Sequence, residues 1–296
     1  MLNTKKNDFS SFLRNLILIF VCILCIIPLL LVISISISNT DYITKEGYTI
    51  IPRTFDLGAY IFILKQPKQL IDSYIVSIVV TILGSAVSLI FTAMLAYPLM
   101  RKDYKFSKQI TFIVFFTLLF NGGLVPWYIL ITKYLHLKDS ILALILPYLI
   151  YPWFVLILRT FFSSIQFELI EAAEIDGAGE FKTFWAIILP MSKPALATIG
   201  LLIAFRYWND WWLGMLFIKS ENLKPLQYLL YTIMSNMEEF ERNFQATAIM
   251  QSNDVTFPRE PVRMAMAVLA AGPMLIVFPF FQKYFVRGMA VGAVKG

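Results

Sequence analysis

Apolar residues run almost unbroken for about twenty positions at a time in six places, and nothing else in the chain constrains its fold as strongly. A helix rises about 1.5 Å per residue, so roughly 20 residues cross the roughly 30 Å of bilayer hydrocarbon. The stretches are Asn15–Ser38, Tyr74–Leu99, Ile110–Thr132, Ile141–Phe162, Ala195–Ile218 and Met264–Phe281. In hydrocarbon every backbone N–H and C=O must find a partner inside the protein, and a helix satisfies them locally. The expectation is an all-α polytopic membrane protein, six transmembrane helices in a single domain over residues 1–296. Pro28, Pro126, Pro147, Pro152, Pro273 and Pro279 predict kinks within these spans.

Composition removes the alternatives. Apolar residues make up 58 % and charged residues 15 %, against about 25 % charged in a soluble domain. Two cysteines in 296 residues exclude a disulfide scaffold. The 26 Phe, 14 Tyr and 6 Trp exclude a disordered chain. The net charge of +6 fits Lys and Arg gathered on cytoplasmic loops, and no basic stripe interleaved with aromatics points to nucleic acid. The first apolar run is longer than the roughly 7–15 residues of a signal peptide, so it reads as an uncleaved anchor.

Loop charge orients the spans. Lys5, Lys6 and Arg14 precede the first, and Arg101, Lys102, Lys105 and Lys108 fill the short loop after the second. Lys283, Arg287 and Lys295 follow the last. Short basic loops stay inside, which puts both termini in the cytoplasm and turns Asn39–Ser73 and Lys219–Arg263 outward. On the second span Gly84, Ser88, Thr92 and Ala96 form a small-residue stripe that suits close packing within the chain.

The water-facing segment 163–193 after the fourth span is the most informative. Gln166–Ile175 favours a helix carrying Glu168, Glu171 and Glu174, and Gly177 supplies a left-handed stop. Phe181, Phe184, Trp185 and Ile188 then recur at amphipathic helix spacing, with Pro190 and Pro194 ending the second helix. Neither helix is long enough to cross a bilayer. An acidic, alanine-centred helix suits a groove on another protein, with Phe181, Phe184 and Trp185 holding its base. An interfacial membrane helix would favour Lys and Arg instead.

The string EAAEIDGAGEFKTFWAIILP at 171–190 resembles the EAA signature of ABC-importer permeases: E-A-A, three residues, G, nine residues, I-x-L-P. LRTFF at 158–162, WND at 208–210 and FVRGMAVGAVKG at 285–296 are similar to the MalG-like subunits of the carbohydrate-uptake branch. GGLVP at 122–126 resembles the form in permeases for complex oligosaccharides, and Gln166 stands where the family usually has proline. The resemblance implies a type I ABC importer fold in the bacterial plasma membrane. It implies a heterodimer with a second, related permease, two ABC ATPase subunits and an extracytoplasmic sugar-binding protein. The ATPase-coupling residues would be Glu168, Glu171, Ala172, Ala173, Glu174, Asp176, Gly177 and Ala178. Loop 219–263 would be the scoop that meets the binding protein, through Glu238, Glu239, Phe240, Phe244 and Asn253.

No G-x-x-x-x-G-K-[ST] phosphate loop is present, so this chain is expected to bind no cofactor, with ATP and Mg held by the partner ATPases. The substrate path is expected along Arg206, Tyr207, Trp208, Asn209, Asp210, Trp211 and Trp212. Aromatic rings stack on sugar faces, polar groups bond hydroxyls, and Arg206 could take an acidic oligosaccharide. Arg206 and Asp210, four apart, could equally form a salt bridge that fixes helices. Cys22 and Cys25 sit among apolar neighbours, and His136, the only histidine, falls in a short loop near Lys133 and Lys138, so neither suggests a metal or catalytic site. An ion-coupled sugar carrier or channel working without an ATPase is the alternative, and it would leave the EAA segment without a job. A membrane enzyme would need convergent acids or histidines, and the one acidic cluster is the EAA helix, whose carboxylates flank alanines on a partner-facing surface.

Overall fold

A computed structural model describes residues 4–65, 67–248 and 259–293. They form helices, and no strand occurs among them beyond one isolated bridge between Ser38 and Phe55. The chain divides into two compact units, Met1–Pro67 with Thr232–Pro273, and Lys68–Tyr231 with Met274–Gly296.

In the first unit α1 (Thr4–Ser36) carries the first apolar run, with Pro28 inside it. A polar turn closes its end. Ser34 Oγ donates to Thr49 O at 2.7 Å, and Ser36 Oγ lies 2.9 Å from the Tyr60 hydroxyl. The short helices α2 (Thr40–Glu46) and α3 (Gly58–Ile63) follow. Asn39 caps α2 by accepting from Asp41 N, and it donates to Asp56 at 3.0 Å.

The second unit opens with α4 (Pro67–Met100). Its small-residue stripe is buried within the chain, as read from the sequence. A Cβ built on Gly84 would stand 2.8–3.0 Å from the Tyr207 ring, so only glycine admits that ring. The third span is broken where a single kinked helix was expected. Helix α5 (Ser107–Leu119) ends at Phe120, and α6 (Leu124–Ile129) restarts after a 111° bend, running on as a wide π-type turn through Tyr134. The cause is Asn121–Gly123 and not Pro126: Gly123 has φ +90°, and its N–H is taken by the Asn121 side chain at 2.8 Å.

The fourth span bends by 51° between α7 (Leu142–Ile145, extended by a 3-10 turn to Tyr148) and α8 (Pro152–Phe162). Here proline acts as expected, with Pro152 in the first turn of α8. Next come α9 (Glu168–Ile175), α10 (Glu180–Thr183), a π-type turn Phe184–Ile188 and α11 (Leu189–Met191). Pro194 begins the following helix and does not merely end the preceding one. Helix α12 (Lys193–Trp208) carries it in its first turn, after an 84° bend.

The expected fifth span Ala195–Ile218 is likewise interrupted. Helix α12 stops at Trp208, and α13 (Trp212–Phe217) is a separate turn and a half. Asn and Asp side chains compete with helical backbone bonding. Asn209 Nδ2 donates back to Phe205 O at 2.9 Å, and Asp210 accepts the N–H of Leu213 at 3.1 Å. Among the described residues three helices are long and apolar enough to span, or up to six if each of three bent pairs is one span, the third pair joining Glu180–Met191 to Lys193–Trp208 where Ala195–Ile218 was expected.

Helix α14 (Leu226–Ala248) precedes α15 (Arg259–Ala293), which contains the last apolar run. Leu226, Leu229, Leu230 and Met237 are buried at helical spacing, a signal already present in the sequence. The core of the second unit is built from Tyr97, Val155, Leu158, Phe162, Ile170, Phe184, Ile188, Ile203, Leu213 and Phe217.

Candidate functional site

The 163–193 stretch forms two short helices joined by a left-handed glycine. Gly177 has φ +76°, and its N–H donates to Glu174 O at 3.0 Å, closing α9. Ala178 N–H reaches back to Ala173 O at 2.9 Å, so the Gly177–Ala178 pair forms the cap. Helix α9 has two faces. Ile170 and Ala173 are buried, whereas Glu168, Glu171, Ala172 and Ile175 share one exposed stripe at i, i+3, i+4 and i+7. Asp176 is exposed beside them. The two alanines of the motif therefore do different things: Ala173 faces the protein and Ala172 faces out.

Ile175 is 86 % exposed, the largest such value among the exposed apolar side chains of this segment, and Phe181 is 70 % exposed. Sequence reading missed Ile175 and placed Phe181 with the anchoring aromatics. Phe184 is the anchor that packs inward, 5.4 Å from Tyr97 between ring centroids, while Trp185 is half-exposed. Phe184 and Ile188 point inward along the wide turn at 184–188, whereas Phe181, in the helical turn before it, does not.

Glu174 does not share the exposed stripe. It pairs with Arg101 at 2.7 Å, as Glu180 does at 3.2 Å. Arg101 also holds Asp103 through Nε at 2.8 Å and through Nη2. The hydrogen bond from Arg101 keeps the Asp103 carboxyl below the usual carboxylate range, and the same bond raises Arg101.

A second constellation sits around the break between α12 and α13. The Arg206 guanidinium carbon lies 4.1 Å from the ring centroids of both Tyr148 and Tyr151. The Tyr148 hydroxyl donates to Asp210 at 3.0 Å. The expected Arg206–Asp210 salt bridge is not formed: ion pairs among the described residues involve Arg101 and Lys224 only. The helix has ended before Asp210, so the spacing of four no longer stacks the two side chains. Arg206 Nε is buried without a hydrogen-bond partner. Tyr207 and Trp208 are buried, and Tyr207 donates to Ile145 O at 2.9 Å. Asn209, Trp211 and Trp212 are exposed. Trp211 stacks on Tyr231 at 4.5 Å and meets Trp212 edge-on at 5.6 Å.

Of the expected binding-protein contacts, Glu238 and Glu239 lie on α14. Phe240 and Phe244 lie on the same helix, with side chains outside the described set, and Asn253 lies outside the described residues. No group of three metal-ligating side chains occurs among the described residues.

Bent apolar helical segments joined by a short two-helix segment form a polytopic membrane architecture. Residues 83–291 match the family model described as "Binding-protein-dependent transport system inner membrane component". The chain belongs to that family, and its fold is that of a type I ABC importer permease. It is 37 % identical over 298 residues to protein LplC of Bacillus subtilis strain 168, covering 100 % of this chain and 98 % of that one. It is 35 % identical over 292 residues to the polygalacturonan/rhamnogalacturonan transport system permease protein YtcP of the same organism, covering 99 % and 100 %. Among solved structures it resembles a chain of a bacterial ABC transporter involved in the import of the acidic polysaccharide alginate. That match has a TM-score of 0.77 and 29 % identity, with 96 % and 99 % coverage. The chain is therefore an inner-membrane permease component of an ABC importer.

Proposed function

We propose that the protein carries a complex carbohydrate, and specifically an acidic oligosaccharide, inward across the bacterial plasma membrane. The observation that supports the acidic reading is the Arg206 guanidinium, clamped between Tyr148 and Tyr151 and paired with no carboxylate among the described residues. A permanent cation within a span is costly unless something polar compensates it. A uronate carboxylate offers the planar, bidentate match that guanidinium prefers. Exposed Trp211 and Trp212 add apolar faces on which sugar rings stack. Relatives named for polygalacturonan/rhamnogalacturonan and for alginate support the same class.

In this reading the chain pairs with a second, related permease, and two ATPase subunits hold ATP and Mg. This chain binds no cofactor of its own. Glu168, Glu171, Ala172 and Ile175 of α9 meet an ATPase on the cytoplasmic side, where both termini also lie. The cap residues Asp176, Gly177 and Ala178 set the angle of that helix, and Ala173 and Glu174 seat it. The 219–263 segment, with Glu238, Glu239, Phe240, Phe244 and Asn253, meets an extracytoplasmic binding protein that delivers sugar.

The test is uptake by the complete importer in proteoliposomes, comparing an oligogalacturonate with a neutral oligosaccharide. Arg206→Gln is expected to slow uptake of the acidic sugar about tenfold or more, since a hydrogen bond to a charged group contributes ~1.5–3 kcal/mol and ~1.4 kcal/mol is a factor of ten. Equal loss for both sugars would reject the uronate contact, and uptake without any ATPase would reject the importer.

A further inference from the structure

Arg101 ties the 168–183 stretch to the end of α4. Arg101 follows the last residue of that helix, and its side chain is only 6 % exposed, whereas its three carboxylate partners are 44–62 % exposed. The cation is thus inside and the anions outside. Its Nη2 has two protons yet faces Asp103, Glu174 and Glu180 together. Nη1 is buried with no hydrogen-bond partner. One nitrogen is oversubscribed while its twin is idle.

The partners straddle the glycine turn. Glu174 is near the end of α9, Glu180 starts α10, and Tyr97 of α4 also donates to Glu180. The Phe167 ring lies 5.8 Å from the guanidinium carbon. Burial of Ile170 and Phe184 holds the segment in place but has no direction. Charged hydrogen bonds are directional, and a buried guanidinium deprived of its anions is strongly disfavoured.

We propose that Arg101 is a positioning residue that passes displacement of α9 and α10 to α4. It acts as a swivel: Glu174 and Glu180 redistribute between Nη2 and the idle Nη1 while the guanidinium keeps its anionic contacts. This rests on the reading that α9 docks on an ATPase.

The experiment uses the intact importer in proteoliposomes. Arg101→Gln should leave ATPase subunits co-purifying and ATP hydrolysis running, while substrate carried per ATP falls about tenfold, the size set by one charge-assisted hydrogen bond. Arg101→Lys should restore part of the ratio. Spin labels at Lys102→Cys and Lys182→Cys, with Cys22 and Cys25 replaced by Ser, should keep one narrow distance through nucleotide binding and broaden with Arg101→Gln. Unchanged substrate carried per ATP in an assembled Arg101→Gln importer would overturn the proposal, as would a label distance indifferent to the substitution. If Arg101→Gln fails to assemble, the Glu174→Gln/Glu180→Gln pair is measured in its place, and an unaltered ratio there overturns it equally. Absence of ATPase from the wild-type preparation would instead defeat the docking reading, and the label distance would still decide the tie.

Discussion

Asp139 shows how a single side chain can hold two loops. Its backbone sits at φ +60°, and its N–H donates to Phe217 O at 2.9 Å. Its carboxylate accepts from the Ser220 hydroxyl and from the N–H groups of Ser220 and Lys219, both at 2.9 Å. These bonds, the Ser220 hydroxyl first, lower its pKa below the usual carboxylate value. A lowered folded-state pKa means the stabilisation is present above the unfolded value of about 3.9 and is lost as pH falls through the folded value. Asp139→Asn is therefore expected to unfold at a lower temperature than wild type at pH 7, with the gap closing as the buffer is acidified below about pH 4. Thermal unfolding in detergent across that range checks it, and a gap independent of pH would refute it. Gly84 makes a steric counterpart. Gly84→Leu must displace the Tyr207 ring from its bond to Ile145 O, a cost of about 1–3 kcal/mol for overpacking. A melting temperature equal to wild type would contradict that contact.

At the scale of elements, α9 assigns opposite effects to neighbouring positions. Ile175→Glu changes a side chain exposed to 86 %, so it should leave folding within about 0.5 kcal/mol of wild type while abolishing ATPase co-purification. Ala173→Trp overfills a buried site and should lower stability by about 1–3 kcal/mol before docking is affected. Pull-down and melting curves on the two variants separate the faces, and a normal melt for Ala173→Trp would reverse the assignment. The sequence shows that a helix lies here, since Gly177 and the acidic repeat mark its end and its surface. It does not show which alanine turns inward. A helix of two turns has too few apolar positions to define a face, and Ile175 looks as buriable as Ile170. The apolar helical runs were legible because hydrocarbon demands length and apolarity alone. Their breaks were not, because each depends on a side chain bonding its own backbone: Asn121 to Gly123, Asn209 to Phe205, Asp210 to Leu213. The aromatic and polar types near Arg206 were legible as well. Their true partners were hidden, because Tyr148 and Tyr151 come from another helix pair.

For the whole molecule, the family and the apolar spans place the protein in the inner membrane as one component of a larger transporter. A cysteine introduced at Asp176 should react with a membrane-impermeant maleimide only from the cytoplasmic side of oriented vesicles. Labelling from the opposite side would invert the topology. The first helix adds a different consequence. Over an 18-residue apolar window of Ser10–Ser36 no residue is buried within the chain, the buried positions being Ser34, Ile35 and Ser36 at its end. Within this chain, packing complementarity therefore constrains the side chains of that window little. Shuffling its leucines and isoleucines should go unnoticed, whereas removing one turn, about 5.4 Å, creates a thickness mismatch that costs fractions of a kcal/mol per ångström. As far as this chain's own packing goes, that helix is held to a length and an apolarity more than to a sequence, so the protein should tolerate scrambling there better than transfer to a thinner or thicker bilayer.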